Sequence, residues 1–301
     1  MPALANLPVE IWERIIHDAV EPASPMSRPS LPWMNSFRSE SLHNVARRQQ
    51  LHNLQLLSGV ARAWRELCIT LSYETFLLLK GDPTTLRWLL NTQLSRFPSL
   101  FHRTRRLIVH FPCLWYESTH QHTITLFVNL VREMPLLQDL AVQCSPFWSH
   151  TEYRLVEKRI LEALRLIGSR LLFLEIQEPM DRCLSGNCVL TPKGVGTLSA
   201  LATNLTRLIC AVEVDKFSLS DHAPSFPNLQ VFHMQLHTDR SQQAGVNKWI
   251  HRWQLGALKQ FSVAYCVDPP IEEWVPMLLS GNNGRNLEVF DVGVRTCPVP
   301  V

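Results

Sequence analysis

The sequence predicts an α/β fold in which a short helical region precedes an irregular solenoid of strand and helix units. Two observations carry this prediction: two amphipathic helical stretches near the N-terminus, and a phrase of apolar residues that recurs through the rest of the chain. We place the helical region at 1–75, with an inserted loop at about 21–50, and the repeats at 76–301.

The helical region opens with a start signal for a helix. The stretch 7–12 reads Leu-Pro-Val-Glu-Ile-Trp, with proline near a first helical position and an acidic residue in the first turn. Ile11 and Ile15 share one face of this helix and Trp12 and Ile16 the adjoining face, which gives a wide apolar stripe. A second helix is predicted from about residue 51, where apolar residues recur at steps of three and four: Leu54, Leu57, Ala61, Trp64 and Cys68.

The repeated phrase after Lys80 consists of an apolar residue, two others, an apolar residue, one other and an apolar residue. Leu137-Leu140-Val142 and Leu171-Leu174-Ile176 are examples. Six full copies, and an earlier partial copy in which Thr104 precedes Leu107 and Val109, predict strands, and the amphipathic stretches between them predict returning helices. An ordinary α/β sheet stays open as the alternative, because no regular asparagine ladder is evident. The central apolar residues lie at 107, 140, 174, 208, 232, 261 and 290, so the steps are 33, 34, 34, 24, 29 and 29 residues.

Residues that alternate with the apolar positions of these strands are predicted to share one outward face, because successive strand side chains point to opposite sides. Ile108 and Ser262 belong to this set. The face is polar and mixed in charge, which is typical of a protein-binding surface. Its candidate target-binding residues are Arg106, His110, Gln143, Glu175, Gln177, His233, Gln235 and Asp291.

The two helices of the N-terminal region together resemble an F-box. That family opens with Leu-Pro-x-Glu-Ile, as at 7–11, and closes with Leu-x-x-x-x-Val-Cys-Arg-x-Trp. Against this ending, Leu56 stands for the leucine, one position closer to Val60 than in the family pattern, and Ala61 takes the place of the cysteine. Arg62 and Trp64 stand for the arginine and the tryptophan. The insertion between the two ends departs from the family pattern. Fungal F-box-like proteins with degenerate leucine-rich repeats are similar to the whole arrangement.

This resemblance implies a non-catalytic substrate receptor of an SCF-type ubiquitin ligase. The F-box would dock on a Skp-type adaptor, and through it on a cullin, while leucine-rich-repeat-like units bind an unknown protein target. An alternative is a protein-binding scaffold outside any ligase, whose N-terminal helices cap the solenoid. A hydrolase of unrecognised type is a third hypothesis. The expected adaptor-binding residues are Leu7, Pro8, Ile11, Trp12, Leu56, Val60 and Trp64.

Composition and motifs exclude several other functions. The net charge of +3 is too small for a broad nucleic-acid-binding field, and we find no catalytic motif, cofactor loop or metal-ligand set. The pairs Cys183 and Cys188, His120 and His122, and His233 and His237 each lack the further ligands that a metal site needs. We expect no export signal, no membrane span and eight reduced cysteines, hence a cytoplasmic or nuclear protein.

Overall fold

The computed structural model of this protein describes twelve segments of the chain, which fall into two compact units, 1–77 and 78–301. The described residues are 11–12, 14–16, 52–60, 62–78, 81–96, 98–111, 117–144, 150–177, 190–214, 223–238, 249–265 and 284–294. The predicted inserted loop at about 21–50 and the residues Leu7 and Pro8 lie outside these segments.

The N-terminal unit is helical and has its own apolar core. Helical residues occur at 11–12 and 14–16 and at 52–58, and helix α1 spans Arg62–Glu74. The rings of Trp12 and Trp64 lie with their centroids 5.1 Å apart, which joins the first helical segment to α1. Ile16, Leu54 and Cys68 are buried at the centre of this core, and partly buried side chains pack against them: Leu57, Trp64, Leu67 and Leu71.

The predicted second helix is wrong in one respect, because it is broken at residues 59–60. The amides of Gly59 and Val60 donate to the carbonyls three residues earlier, at 3.1 and 3.0 Å, which is turn geometry. The hydroxyl of Ser58 also donates to the carbonyl of Gln55 at 2.7 Å and so competes with the helical backbone bonds. The apolar spacing continues across this turn, so periodicity alone did not reveal it.

The second structural feature is a single eight-stranded sheet whose strands lie side by side in chain order. Every described neighbouring pair from β2 to β8 is parallel. The α/β class is therefore confirmed, as an open sheet with helices. The strands are β1 Thr75–Leu78, β2 Arg106–Phe111, β3 Asp139–Cys144, β4 Phe173–Gln177, β5 Arg207–Val214, β6 Val231–Thr238, β7 Gln260–Tyr265 and β8 Val289–Val294.

Helices connect the earlier strands and share one face of the sheet. Connections between neighbouring parallel strands have a single hand, so a sheet in chain order receives its helices on the same side. The ring of Phe111 on β2 meets that of Phe127 edge-on at 5.3 Å, which places the helices on the side of Leu107. The helices are α2 Pro83–Trp88, α3 Pro98–Phe101, α4 Glu117–Arg132, α5 His150–Ile167 and α6 Pro192–Leu201, with a π-helix at Leu89–Leu94 and a 3-10 helix at Gly168–Arg170.

The predicted helices at 124–131 and 155–167 are confirmed as parts of α4 and α5.

The start of α6 is fixed by an N-cap residue and by the proline that follows it. Thr191 stands at its N-cap, its hydroxyl accepts from the amide of Gly194 at 2.9 Å, and Pro192 follows at the first position. Glu157 of α5 accepts from the amide and hydroxyl of Thr191 at 2.6 and 2.9 Å, so neighbouring helices are fastened together. A side chain at Gly194 would overlap that carboxylate.

The seven predicted central apolar residues form one continuous row across the sheet, which we call the inner row. Each is the register partner of the next, from Leu107 paired with Leu140 to Phe261 paired with Phe290. The first six are fully buried, and Phe290 on the last described strand is 36% exposed. The phrase thus predicted both the strands and their alignment, because stacked strands place equal positions side by side.

All seven phrases are introduced by the same backbone turn. The amide of the first phrase residue donates to the carbonyl three residues earlier, at 3.1–3.3 Å. The residue that supplies this carbonyl is either buried and apolar or a glycine. This pattern is present in the sequence three residues before each phrase, but we did not predict the turn from it. The donor and acceptor positions are 104 and 101, 137 and 134, 171 and 168, 205 and 202, 229 and 226, 258 and 255, and 287 and 284.

A short asparagine ladder joins some of these turns. In three of them, the residue before the phrase is asparagine, and its side-chain amide donates to a backbone carbonyl in the preceding turn. In another, Arg170 makes a comparable bond to the carbonyl of Met134 at 3.1 Å. A regular asparagine ladder was not evident from the sequence, and the structure shows a partial one of three bonds among the described turns. The bonds run from Asn204 to Ser169, from Asn228 to Thr203 and from Asn286 to Gly256, at 2.5, 3.0 and 2.8 Å.

We expect Asn228→Ala to lower the free energy of unfolding by about 1 kcal/mol, because one turn-to-turn hydrogen bond is lost. Ala257 directly precedes the next phrase, as Asn228 precedes its own. Ala257→Asn should therefore leave the free energy of unfolding unchanged or raise it by up to about 1 kcal/mol. Urea unfolding followed by circular dichroism measures both. Equal stability of Asn228→Ala and the wild type, or a clear loss on Ala257→Asn, would contradict the role given to this position.

Candidate functional site

The first candidate surface is a set of exposed apolar side chains in the N-terminal unit. Among the predicted adaptor-binding residues, Ile11, Leu56 and Val60 are 42%, 61% and 65% exposed. The other two described members, Trp12 and Trp64, are half-buried and pack on each other. Two further side chains, Ile15 and Ile69, are exposed to a similar degree and were not predicted. The unit therefore presents apolar surface that its own core leaves uncovered.

The second candidate surface is the sheet face opposite the inner row, which we call the outer face. Strand alternation and register place the predicted target-binding residues on this face. Arg106, His110 and Asp291 are half-buried. The strands of Gln143 and Gln177 are described, but their side chains are not.

Burial on the outer face differs from the expectation of a solvated surface. Glu175, His233 and Gln235 are only 3%, 7% and 8% exposed. Adjacent strands are about 4.8 Å apart, so side chains that face the same way cover one another. Glu175, for example, has Ala141 and Ile209 as its register partners on either side. A single strand cannot reveal this burial, because it depends on the neighbouring strands.

Four side chains on adjoining strands form what we call the arginine cluster: Arg106, Asp139, Phe173 and Arg207. They are consecutive register partners from β2 to β5. The guanidinium carbons of Arg106 and Arg207 lie 5.7 and 5.9 Å from the centroid of the Phe173 ring, within cation–π range. Nε of Arg106 lies 4.0 Å from the nearer carboxylate oxygen of Asp139. We predicted only Arg106, although each member directly precedes a central apolar residue.

Burial and mutual charge both act on the arginine cluster. Burial raises the pKa of Asp139, and the positive charges of Arg106 and Arg207 partly offset this effect. Burial also lowers the pKa of Arg207, as does the charge of Arg106, whereas Glu175 and Asp139 raise it. The guanidinium groups stay charged near neutral pH. Two arginines and two carboxylates thus balance each other over β2 to β5.

His233 lies beside the arginine cluster on β6. Burial, followed by the charge of Arg207, lowers the pKa of His233 to about 4, so the imidazole is neutral at pH 7. Its Nδ1 atom is buried and has no hydrogen-bond partner. The register partners of His233 are Ile209 on β5 and Ser262 on β7. A buried polar atom without a partner is costly unless it is met by a bound molecule.

Other reactive residues show no comparable arrangement. The thiols of Cys68 and Cys210 are buried, and burial raises the pKa of each, which is opposite to the activation of a nucleophile. His122 accepts from Nε of Arg87 at 2.9 Å. Cys183 and Cys188 fall outside the described segments. Among the described residues, no group of three histidine, cysteine or acidic side chains is arranged to hold a metal ion.

Comparison with known protein families and with curated proteins finds no match to this chain. Within the described part of the chain, the helices are too short or too polar to cross a bilayer. Function is therefore inferred from the two surfaces themselves.

Proposed function

We propose that this protein is the substrate-receptor subunit of an SCF-type ubiquitin ligase. In this proposal the N-terminal unit is an F-box that docks on a Skp-type adaptor, and through it on a cullin. The sheet and its helices form an irregular leucine-rich-repeat-like solenoid whose outer face binds a protein target. The protein itself is not an enzyme, and its role belongs to the cytoplasm or the nucleus.

The observation that carries the proposal is that some apolar side chains of the N-terminal unit form its core whereas others remain exposed to solvent. Ile16, Leu54 and Cys68 fill the core, whereas Leu56 and Val60, which stand for the leucine and the valine of the closing motif of an F-box, stay exposed. Several exposed large apolar side chains on a small unit that has its own buried core favour a protein interface. An adaptor groove would bury them and recover their hydrophobic free energy.

The solenoid half of the proposal is supported by three repeated features of the sheet. The strands follow chain order, every phrase begins with the same turn, and asparagine side chains bond some turns to their predecessors. A doubly wound α/β sheet would instead reverse its strand order and bind ligands at the reversal. No reversal occurs among the eight strands that the structure describes.

The proposal is tested by capture of a purified Skp-type adaptor on the full chain. We expect Leu56→Asp to weaken capture at least tenfold, because a charge is placed in an apolar contact. Leu136→Asp is the matched control: Leu136 is also about half exposed, at 48%, but lies in the other unit. It should leave capture unchanged.

Circular dichroism and protease resistance of both variants establish that each still folds. If the wild-type chain captures no adaptor, or if Leu56→Asp and Leu136→Asp are captured equally, the ligase role fails. Target binding without adaptor binding would instead favour a protein-binding scaffold whose N-terminal helices cap the solenoid.

A further inference from the structure

The last described strand of the sheet, β8, leaves apolar surface uncovered on both faces. It pairs with β7 on one side, and no described strand lies on the other. Phe290, in the inner row, is 36% exposed, and Val289, on the opposite face, is 39% exposed. Phe261, the register partner of Phe290 on β7, is fully buried. The side chains at the start of β8 therefore lack the cover that a next strand would give them.

The backbone of β8 also directs polar groups toward this uncovered edge. The amide of Val289 donates to the carbonyl of Lys259 at 3.0 Å, so Val289 is turned toward β7. Backbone groups of successive strand residues point to opposite sides of the strand. Phe290, Val292 and Val294 therefore direct their amides and carbonyls away from β7, toward the edge that has no described partner strand.

The edge of β8 carries none of the usual protection against pairing. Natural edge strands are commonly very short, or carry lysine, proline or a bulge. The six residues of β8 include neither lysine nor proline, and their register with β7 is unbroken. At the other end of the sheet, β1 has only four residues. Of the two ends of the described sheet, β8 is thus the one suited to receive a further strand.

A second copy of β8 fits this edge when it runs antiparallel about a two-fold axis. Antiparallel strands bond at alternate residue pairs, so edge-directed residues must oppose one another. With the axis at Val292, each Phe290 opposes Val294 of the second copy, and Val292 opposes its own counterpart. All three edge-directed residues of β8 then find backbone partners.

Charge distinguishes this register from its neighbour. An axis at Asp291 would set the two Asp291 residues directly opposite each other, and like charges in that position are destabilising. An axis at Val292 sets Asp291 opposite Gly293, which has no side chain. The strand is therefore complementary to itself in this register, as an interface between identical copies requires.

We propose that a second copy of this chain adds to β8 as an antiparallel strand, about a two-fold axis at Val292, and so forms a dimer with one continuous sheet. The contact involves one strand from each copy, so the dimer is weak and forms as the concentration rises. Addition of another copy's β1 to β8 would instead repeat without closing and give filaments. This inference is independent of the proposed ligase role.

Sedimentation equilibrium of the full chain at several concentrations measures the dimer Kd. Gly293→Asp should raise this Kd by about tenfold or more, because it sets an aspartate opposite Asp291 at two symmetry-related places. Gly293→Lys is the matched control: it replaces the same glycine but sets an opposite charge against Asp291. Its Kd should equal that of the wild type or be lower.

A second pair of variants tests the backbone bonds of the edge. Val292→Pro removes an amide that points away from β7, so it should abolish the dimer while the sheet itself is retained. Val292→Thr keeps the amide and the branched side chain, and should dimerise as the wild type does. Circular dichroism and urea unfolding establish which variants fold; if Val292→Pro does not, the Gly293 pair still decides.

The inference is overturned if the wild-type chain stays monomeric at every concentration, or if it forms filaments. It is overturned as well if Gly293→Asp and Gly293→Lys dimerise with the same Kd, because the register about Val292 requires that they differ.

Discussion

Replacing Phe232 with alanine is expected to lower the free energy of unfolding by about 3–5 kcal/mol. Phe232 is fully buried in the middle of the inner row. Its ring lies 5.3 Å from that of Trp253 and 5.5 Å from that of Phe261. Alanine would leave a cavity that two rigid aromatic neighbours cannot fill, so both the transfer free energy and the packing are lost.

Phe290→Ala is the matched control for this substitution. Phe290 holds the same phrase position and the same row, but it is 36% exposed and stacks only on Phe261, at 5.9 Å, among the described rings. Its loss should be about 1–2 kcal/mol. Urea unfolding followed by circular dichroism compares the two variants. Equal losses would mean that the inner row is not the continuous core that the register indicates.

Acidification is expected to remove about 3 kcal/mol of stability through His233 alone. The pKa of His233 is about 4 in the folded protein, against about 6.5 in an unfolded chain. At a pH between these two pKa values, His233 is protonated in the unfolded state and neutral in the folded state. The stabilisation is therefore fully present above pH 6.5, falls as the pH drops below that value, and is lost by pH 4.

The contribution of His233 is isolated by His233→Gln, which keeps a polar side chain but does not titrate. The charged group that acts on His233 is Arg207 from β5, and the described β7 neighbours Gln260 and Ser262 do not titrate. We expect the difference in unfolding free energy between wild type and variant to shrink by about 3 kcal/mol from pH 7 to pH 4. His102→Gln, at an exposed turn residue, should track the wild type. A constant difference for His233→Gln would show that the imidazole is not held neutral.

The sheet was the most predictable part of the fold. Within each strand the apolar residues face the core, and the same residues lie side by side with their counterparts in the neighbouring strands, so one pattern predicts both the strand and its register. The phrase around Leu174 predicted a strand, and its likeness to the phrases around Leu140 and Leu208 predicted their alignment. The helices α4 and α5 followed from spacing as well. Local periodicity suffices wherever one face is buried.

Contacts and burial that depend on side chains from two or more strands could not be predicted from the sequence of any one strand. Arg106 was predicted as a surface residue, but its contact with Phe173 requires that β2 and β4 flank β3. The burial of His233 has the same origin. The turn at Gly59 was missed for a different reason: apolar residues keep helical spacing on both sides of it, so the break is visible only in backbone hydrogen bonds.

Strand order has a consequence for how this protein folds. Every neighbouring pair of inner-row residues is separated by 24–34 positions, so each strand finds its partners without distant loop closure. Adjacent strands can therefore pair early in folding, before the sheet is complete. Cooperativity then resides in the contacts between neighbouring strands, and a substitution on an inner strand such as β6 weakens two of these contacts, whereas one on β8 weakens a single described contact.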